Sequence, residues 1–206
     1  MFGLCIGQMR YSKTLAGCID IWEDSCEFPE NTIAFAEHQA QDPERALINW
    51  SDAPYIGDDA KRKTQFIDLT WCYRHTPNAI MHKIYEDFHN TIMETTQEYM
   101  RRYGIRENCH NESHYQLLRY KEGDSYPLHY DGPTMLGRHI SVIQYLNADY
   151  EGGELIFPLH NVWIKPAKGT LVMFPSNWAY QHEARPVTKG TKYAIVTWLH
   201  DRPRDK

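Results

Sequence analysis

His129, Tyr130 and Asp131 form an HxD triplet. In extended backbone, residues i and i+2 point to the same face, so the His129 imidazole and the Asp131 carboxylate would stand side by side. That is two members of a two-His-one-carboxylate facial triad, the donor set that holds iron(II) and leaves coordination positions open. A 2-oxo acid can take two of those positions and dioxygen the third. An HxD pair recurs by chance, so the reading needs a second histidine from a strand far along the chain. His182 is the preferred candidate. It follows the strand-like run GTLVMFP and the turn Ser176-Asn177-Trp178, in a short segment before Pro186. His160 in an apparent turn and His200 just past the last expected strand compete with it, while His139 heads a different strand too near the pair in sequence to be favoured.

A 2-oxo acid such as 2-oxoglutarate carries a distal carboxylate, which needs a cation in a fairly dry pocket. Lys192 opens the apolar run TKYAIVTWL, ten residues after His182. Lysine is rarely buried, so by itself it reads as a solvated strand end. Downstream of a metal-ligand histidine it reads as the anchor. Tyr120, nine residues before His129, and Tyr145 in another strand could each add a hydroxyl to the same carboxylate. Each could equally be aromatic core.

These residues need a frame. The second half alternates short apolar runs with Gly, Pro, Asn and Asp. Strands are expected at 113–120, 126–130, 139–146, 154–157, 162–164, 170–174, 181–183 and 192–199, the pattern of a sandwich or barrel. The expected fold is α+β, mainly β: a double-stranded β-helix, or jelly roll, buttressed by N-terminal helices. The chain is read as a single domain over 1–206, with a helical and loop support region at 1–104 and the core at 105–206.

The clearest helix spans 77–103. Thr76 is its expected N-cap, Pro77 lies in its first turn and Gly104 ends it. Ile80, Ile84, Phe88 and Ile92 recur every fourth residue with Met81, Tyr85 and Met100 beside them, an apolar stripe that should pack on a sheet. A shorter helix covers 31–39. Residues 51–63, SDAPYIGDDAKRK, read as a polar loop, either a plain connector or one over the active site.

The chain has 206 residues, 42% hydrophobic and 24% charged, a globular composition. Fourteen Tyr and six Trp suit a β-rich core. The net charge of -5 gives no global electrostatic case for nucleic acid as a partner. Five cysteines (Cys5, Cys18, Cys26, Cys72 and Cys109) include no CxxC pair, which argues for thiols in a reducing cytoplasm over disulfides or thiolate zinc. The opening MFGLCIGQMRYSKTLAG has no long apolar run, so neither a signal peptide nor a membrane anchor is expected.

Taken together, these segments resemble the prolyl 4-hydroxylase branch of the iron(II)/2-oxoglutarate oxygenases. LLRYKEGDSYPLHYD is similar to that family's tyrosine and HxD stretch. GRHISVIQYLNADYEGGELIFP resembles the strand, YLN turn and GGE loop that follow, and KPAKGTLVMFPS the next strand. HEARPVTKGTKYAIVTWLH resembles the segment with the distal His, the lysine and a late Trp. The likeness covers 113–201 and is weak before Gly104. Lysine at 192 is similar to the collagen-type and microbial enzymes, whereas the oxygen-sensing ones use Arg. One departure is Gly132-Pro133-Thr134 after the HxD, which would shape a different substrate pocket.

The resemblance implies iron(II), 2-oxoglutarate and ascorbate as cofactors, and dioxygen and a protein or peptide as partners. The implied reaction is prolyl hydroxylation with succinate and carbon dioxide as coproducts. It also implies Arg138 and Trp198 as substrate-facing residues. A second reading keeps the chemistry on a free amino acid, a small metabolite or a non-prolyl side chain. A third is a non-catalytic jelly-roll binding module. Base demethylation is disfavoured, since those relatives place two Arg after the distal His and this chain has Arg185 but Lys192.

Overall fold

The computed structural model describes residues 10–23, 28–39, 41, 48–52, 62–106, 109, 111–112, 114–132 and 137–200. The chain opens with strands β1 (Arg10–Ala16) and β2 (Ile19–Glu23), then helix α1 (Phe28–Gln39), strands β3 (Ser51–Asp52) and β4 (Gln65–Asp68), and helices α2 (Leu69–His75) and α3 (Ala79–Tyr103). Strands then dominate: β5 (Asn111–Glu112), β6 (Gln116–Tyr120), β7 (Tyr126–His129), β8 (Arg138–Tyr145), β9 (Glu151–Gly152), β10 (Leu155–Phe157) and β11 (Val162–Ile164). The last are β12 (Leu171–Pro175), β13 (His182–Ala184), β14 (Val187–Lys189) and β15 (Lys192–His200).

Among the described residues the major sheet runs β1-β2-β12-β8-β15-β6-β4-β3, with β5 also on β15; the minor sheet runs β11-β10-β13-β7. Two facing antiparallel sheets make the expected double-stranded β-helix. The sequence reading gives the first half helices and loops. The structure adds four strands there, β1 and β2 on one side of the major sheet and β3 and β4 on the other. β1 reads RYSKTLA and β4 only QFID, neither with the clean alternation that marks a half-buried strand.

The long helix forms much as its stripe predicts. Met81, Ile84, Tyr85, Phe88, Ile92, Tyr99 and Met100 are buried. They join Leu117, Ile140, Val142, Ile195 and Leu199 of the major sheet in one core, and each fully buried large side chain contributes roughly 1.5–3 kcal/mol. The helix starts later than expected, at Ala79, so Pro77 precedes its first turn. The N-cap is Asn78, not Thr76, because the Asn78 side chain accepts from the backbone N–H groups of both Ile80 and Met81 at 3.0 Å. Ile80 is 59% exposed, lying in the first turn off the buried stripe. Gly104 ends the helix with φ 63°, the left-handed conformation that favours glycine.

Strand parity then points the chemistry. On β15, Ile195 and Leu199 face α3 while Lys192, Ala194, Val196 and Trp198 face the space between the sheets. On β8, Ile140 and Val142 face the helix, and Ser141, Ile143 and Tyr145 take the inner side, although Val142 also reaches the pocket. Leu118 and Tyr120 do the same on β6. The period of two thus aims residues from three adjacent strands into one cavity.

Candidate active site

The metal candidates meet on the wall of that cavity. His129 on β7 pairs with His182 on β13, with a register shift between His182 and Ala184. Four residues of β7 (Tyr126 to His129) therefore oppose three of β13 (His182 to Ala184), a bulge that turns both Tyr126 and His129 inward. Asp131 follows at i+2, while Tyr130 between them is 44% exposed. One ligand atom from each of His129, Asp131 and His182 lies within 4.8 Å of the others, the only such group among the described residues. His129 Nε2 is 3.5 Å from Asp131 Oδ1, and His182 Nε2 is 3.6 Å from Oδ2. The competing histidines go elsewhere: His160 bonds the Ala179 carbonyl and stacks on Tyr180, and His200 lies within β15.

The surrounding bonds orient these donors. His129 Nδ1 contacts the Pro127 carbonyl at 2.8 Å and His182 Nδ1 the Tyr180 carbonyl at 3.1 Å. A carbonyl only accepts, so each Nδ1 carries the proton and each Nε2 lone pair faces the centre. Ser141 Oγ donates to Asp131 Oδ2 at 2.6 Å. Burial acts to raise the Asp131 pKa, but His182, His129 and the Ser141 hydroxyl outweigh it and hold the carboxyl well below the usual range. Burial pushes His182 down to about 4. An ionised carboxylate and neutral imidazoles are the forms a divalent metal requires, so this donor set fits iron(II).

Lys192 lies deeper and is 2% exposed. Its ammonium donates to the Gly153 carbonyl at 2.7 Å and stands 5.1 Å from the ring centres of both Tyr120 and Tyr145. Burial lowers its pKa to about 7. Burial raises Tyr120 to about 12 and Tyr145 well above the ordinary phenol value, so both hydroxyls remain donors. Gly153 has φ 65°, and a Cβ there would stand 3.2 Å from Lys192 Cδ. The GGE loop is thereby fitted to the lysine stem.

Arg138 and Trp198 are neighbours, the guanidinium carbon 3.9 Å above the indole. Arg138 also donates to the Asp131 carbonyl at 3.3 Å. Trp198 lines the pocket. Of the departure after the HxD, Gly132 donates its N–H to the Ser176 carbonyl at 2.9 Å; Pro133 and Thr134 lie outside the described residues. So do 53–61 of the expected loop, and Cys5 and Cys26.

Three pocket residues escape the sequence reading. Ser141 could have been found by parity, as a polar residue in phase with Tyr145 on β8. Tyr126 stacks on His129 with ring centres 3.6 Å apart. Arg62, from the polar run AKRK, lies 4.7 Å over Tyr126 and lines the cavity. Nothing in the sequence separates it from its solvated neighbours.

A β-sandwich presenting two His and one carboxylate, with a buried cation behind them, has the frame of a non-haem iron oxygenase. Residues 115–200 match the family model of the 2OG-Fe(II) oxygenase superfamily. Similar proteins include a probable prolyl 4-hydroxylase 9 of Arabidopsis thaliana, 32% identical over 126 residues (47% of this chain, 43% of that protein). A PKHD-type hydroxylase of Synechococcus is 37% identical over 97 residues, 42% of each chain. The chain spans less than half the length of these relatives. Among solved structures, a Trichoplax adhaerens prolyl hydroxylase in complex with a hypoxia inducible factor peptide superposes with a TM-score of 0.70 at 18% identity, covering 89% of this chain and 83% of that one. The viral collagen prolyl hydroxylase of Paramecium Bursaria Chlorella virus-1 gives 0.61 at 21% identity, covering 97% and 100%. At these identities the two structures share the fold. Over residues 115–200 the β-helix core is thus similar to the 2OG-Fe(II) oxygenase superfamily, and the prolyl 4-hydroxylase and PKHD-type relatives share that part of the chain.

Proposed function

We propose that this protein is an iron(II)- and 2-oxoglutarate-dependent dioxygenase that hydroxylates a prolyl residue in a protein or peptide. The observation that carries the reading is one cavity lined by both the His129-Asp131-His182 cluster and buried Lys192. When bound, iron(II) supplies the open positions at which 2-oxoglutarate and dioxygen react, with succinate and carbon dioxide formed and one oxygen entering the substrate. The protein orients. His129 and His182 would each give Nε2 to the metal, and Asp131 an oxygen steadied by Ser141. Lys192 would leave the Gly153 carbonyl to pair with the distal carboxylate, with Tyr120 and Tyr145 donating beside it. Leu155, Ala184 and Val196 line the same cavity and would help to exclude water from it. Arg138 and Trp198 would meet the substrate near the metal, and ascorbate would serve as a further cofactor.

The same reading treats the chain as one domain, supported by a major sheet that takes strands from both sides of residue 104. It places the protein in the cytoplasm, in keeping with the free thiol of Cys18. No helix among the described residues is long and apolar enough to cross a membrane. The test is succinate release with proline-containing peptides, followed by mass spectrometry for a gain of one oxygen. Oxygen gained only by a free amino acid or a non-prolyl side chain would contradict the prolyl assignment and leave the chemistry standing.

A further inference from the structure

Arg62 presents the feature the reaction leaves unexplained. It is only 9% exposed, yet its Nε has no hydrogen-bond partner. Its contact is the face of Tyr126, which in turn stacks on the metal-ligand candidate His129. Burying a guanidinium without a carboxylate is costly. Among the described residues lining the cavity, Asp131 is the sole carboxylate, and it is committed to the metal.

The charges in the loaded pocket can be summed. Iron(II), ionised Asp131, protonated Lys192 and the 2-oxoglutarate dianion cancel. Arg62 remains as an excess cation on the wall, and Arg138, stacked on Trp198, adds a second, its Nε likewise buried without a partner. A neutral substrate would leave both uncompensated. A carboxylate would engage the flat guanidinium fork with charge-assisted bonds while its neighbours pack on Tyr126.

Resting on the oxygenase reading above, we propose that Arg62 is a specificity-determining residue that receives a carboxylate of the substrate, so that the preferred substrate carries an acidic side chain beside the oxidised residue. Arg62 comes from the segment just before β4, outside the core that the superfamily match covers.

The test uses capped peptides with a single proline, each made as an Asp and an Asn twin, with the acidic position walked along both flanks. Binding is measured anaerobically by calorimetry on the protein with iron(II) and 2-oxoglutarate, and KM and kcat from oxygen incorporation. Wild type should bind the best Asp twin about tenfold or more tightly than its Asn twin, expressed in KM and not kcat. In Arg62→Met the twins should become equal, and Arg62→Lys, which keeps the charge, should restore part of the difference. Arg62→Gln carries the same expectation should Arg62→Met fail to fold. Equal binding of the twins by wild type overturns the proposal, as does an Asp preference that survives in Arg62→Met. Equal weakening of both twins also overturns it, because Arg62 would then only support the Tyr126 wall. If wild type oxidises nothing but shows an Arg62-dependent Asp preference, the oxygenase reading fails while recognition of a carboxylate by Arg62 stands.

Discussion

Replacing Lys192 by Met should make the empty protein more stable and the loaded protein worse at binding 2-oxoglutarate. Burial lowers the Lys192 pKa from 10.5 to about 7. At about 1.4 kcal/mol per pH unit, that fall sets an upper bound of roughly 5 kcal/mol on the cost of keeping the ammonium charged. Relaxation and the bond to Gly153 bring the working expectation to about 2–3 kcal/mol. The sign follows from proton counting. Below pH 7 lysine is charged in both folded and unfolded chains, and the folded form bears the whole penalty. Between about 7 and 10.5 the unfolded chain binds more protons, so stability rises with pH. Met removes the penalty, so its advantage should be largest near pH 6 and fade towards pH 10. For a chain of this size the gain near pH 6 is about 5–10 °C in Tm. Binding moves the other way. Losing a charge-assisted bond should raise the 2-oxoglutarate KM tenfold to about a hundredfold. The assay is thermal melting of metal-free wild type and Lys192→Met across this pH range, with a 2-oxoglutarate titration of the iron-loaded forms. A variant that melts lower at pH 6 and keeps the wild-type KM would refute the reasoning, since Lys192 would then be neither strained nor an anchor.

Three further substitutions separate site from scaffold. Ser141→Ala removes the donor to Asp131 Oδ2, and iron(II) affinity should fall about tenfold to a hundredfold; unchanged affinity by anaerobic titration would show that the bond does not position the ligand. Gly153→Ala forces a side chain into left-handed backbone and against Lys192 Cδ. It should cost about 1–2 kcal/mol and raise the 2-oxoglutarate KM with iron binding retained. Asn78→Ala removes the α3 cap. It should lower stability by about 1 kcal/mol in urea titration and leave every KM as in wild type.

The grouping of the candidate residues was legible because parity and spacing carry it. His129 and Asp131 at i and i+2 need only extended backbone, and Lys192 shares a strand face with Trp198. The bulge that brings Tyr126 inward was not legible, since a register shift depends on the partner strand. Arg62 was hidden for a similar reason: a lysine and arginine run reads as solvated until the fold places one member over Tyr126. The strands of the first half were missed because β1 and β4 lack clean alternation and owe their pairing to edges offered by the core. The N-cap was misplaced because Thr76 and Asn78 both suit the role, and which side chain reaches the free N–H groups is a matter of a few ångströms.

The most direct test of the account is anaerobic titration of iron(II) into wild type and into His129→Ala, Asp131→Ala and His182→Ala. Visible charge-transfer absorption on adding 2-oxoglutarate serves as a second readout. The account predicts one equivalent bound by wild type, with the absorption appearing only when both components are present, and loss of tight binding in every variant. Full iron binding and full absorption in any of the three variants would contradict it.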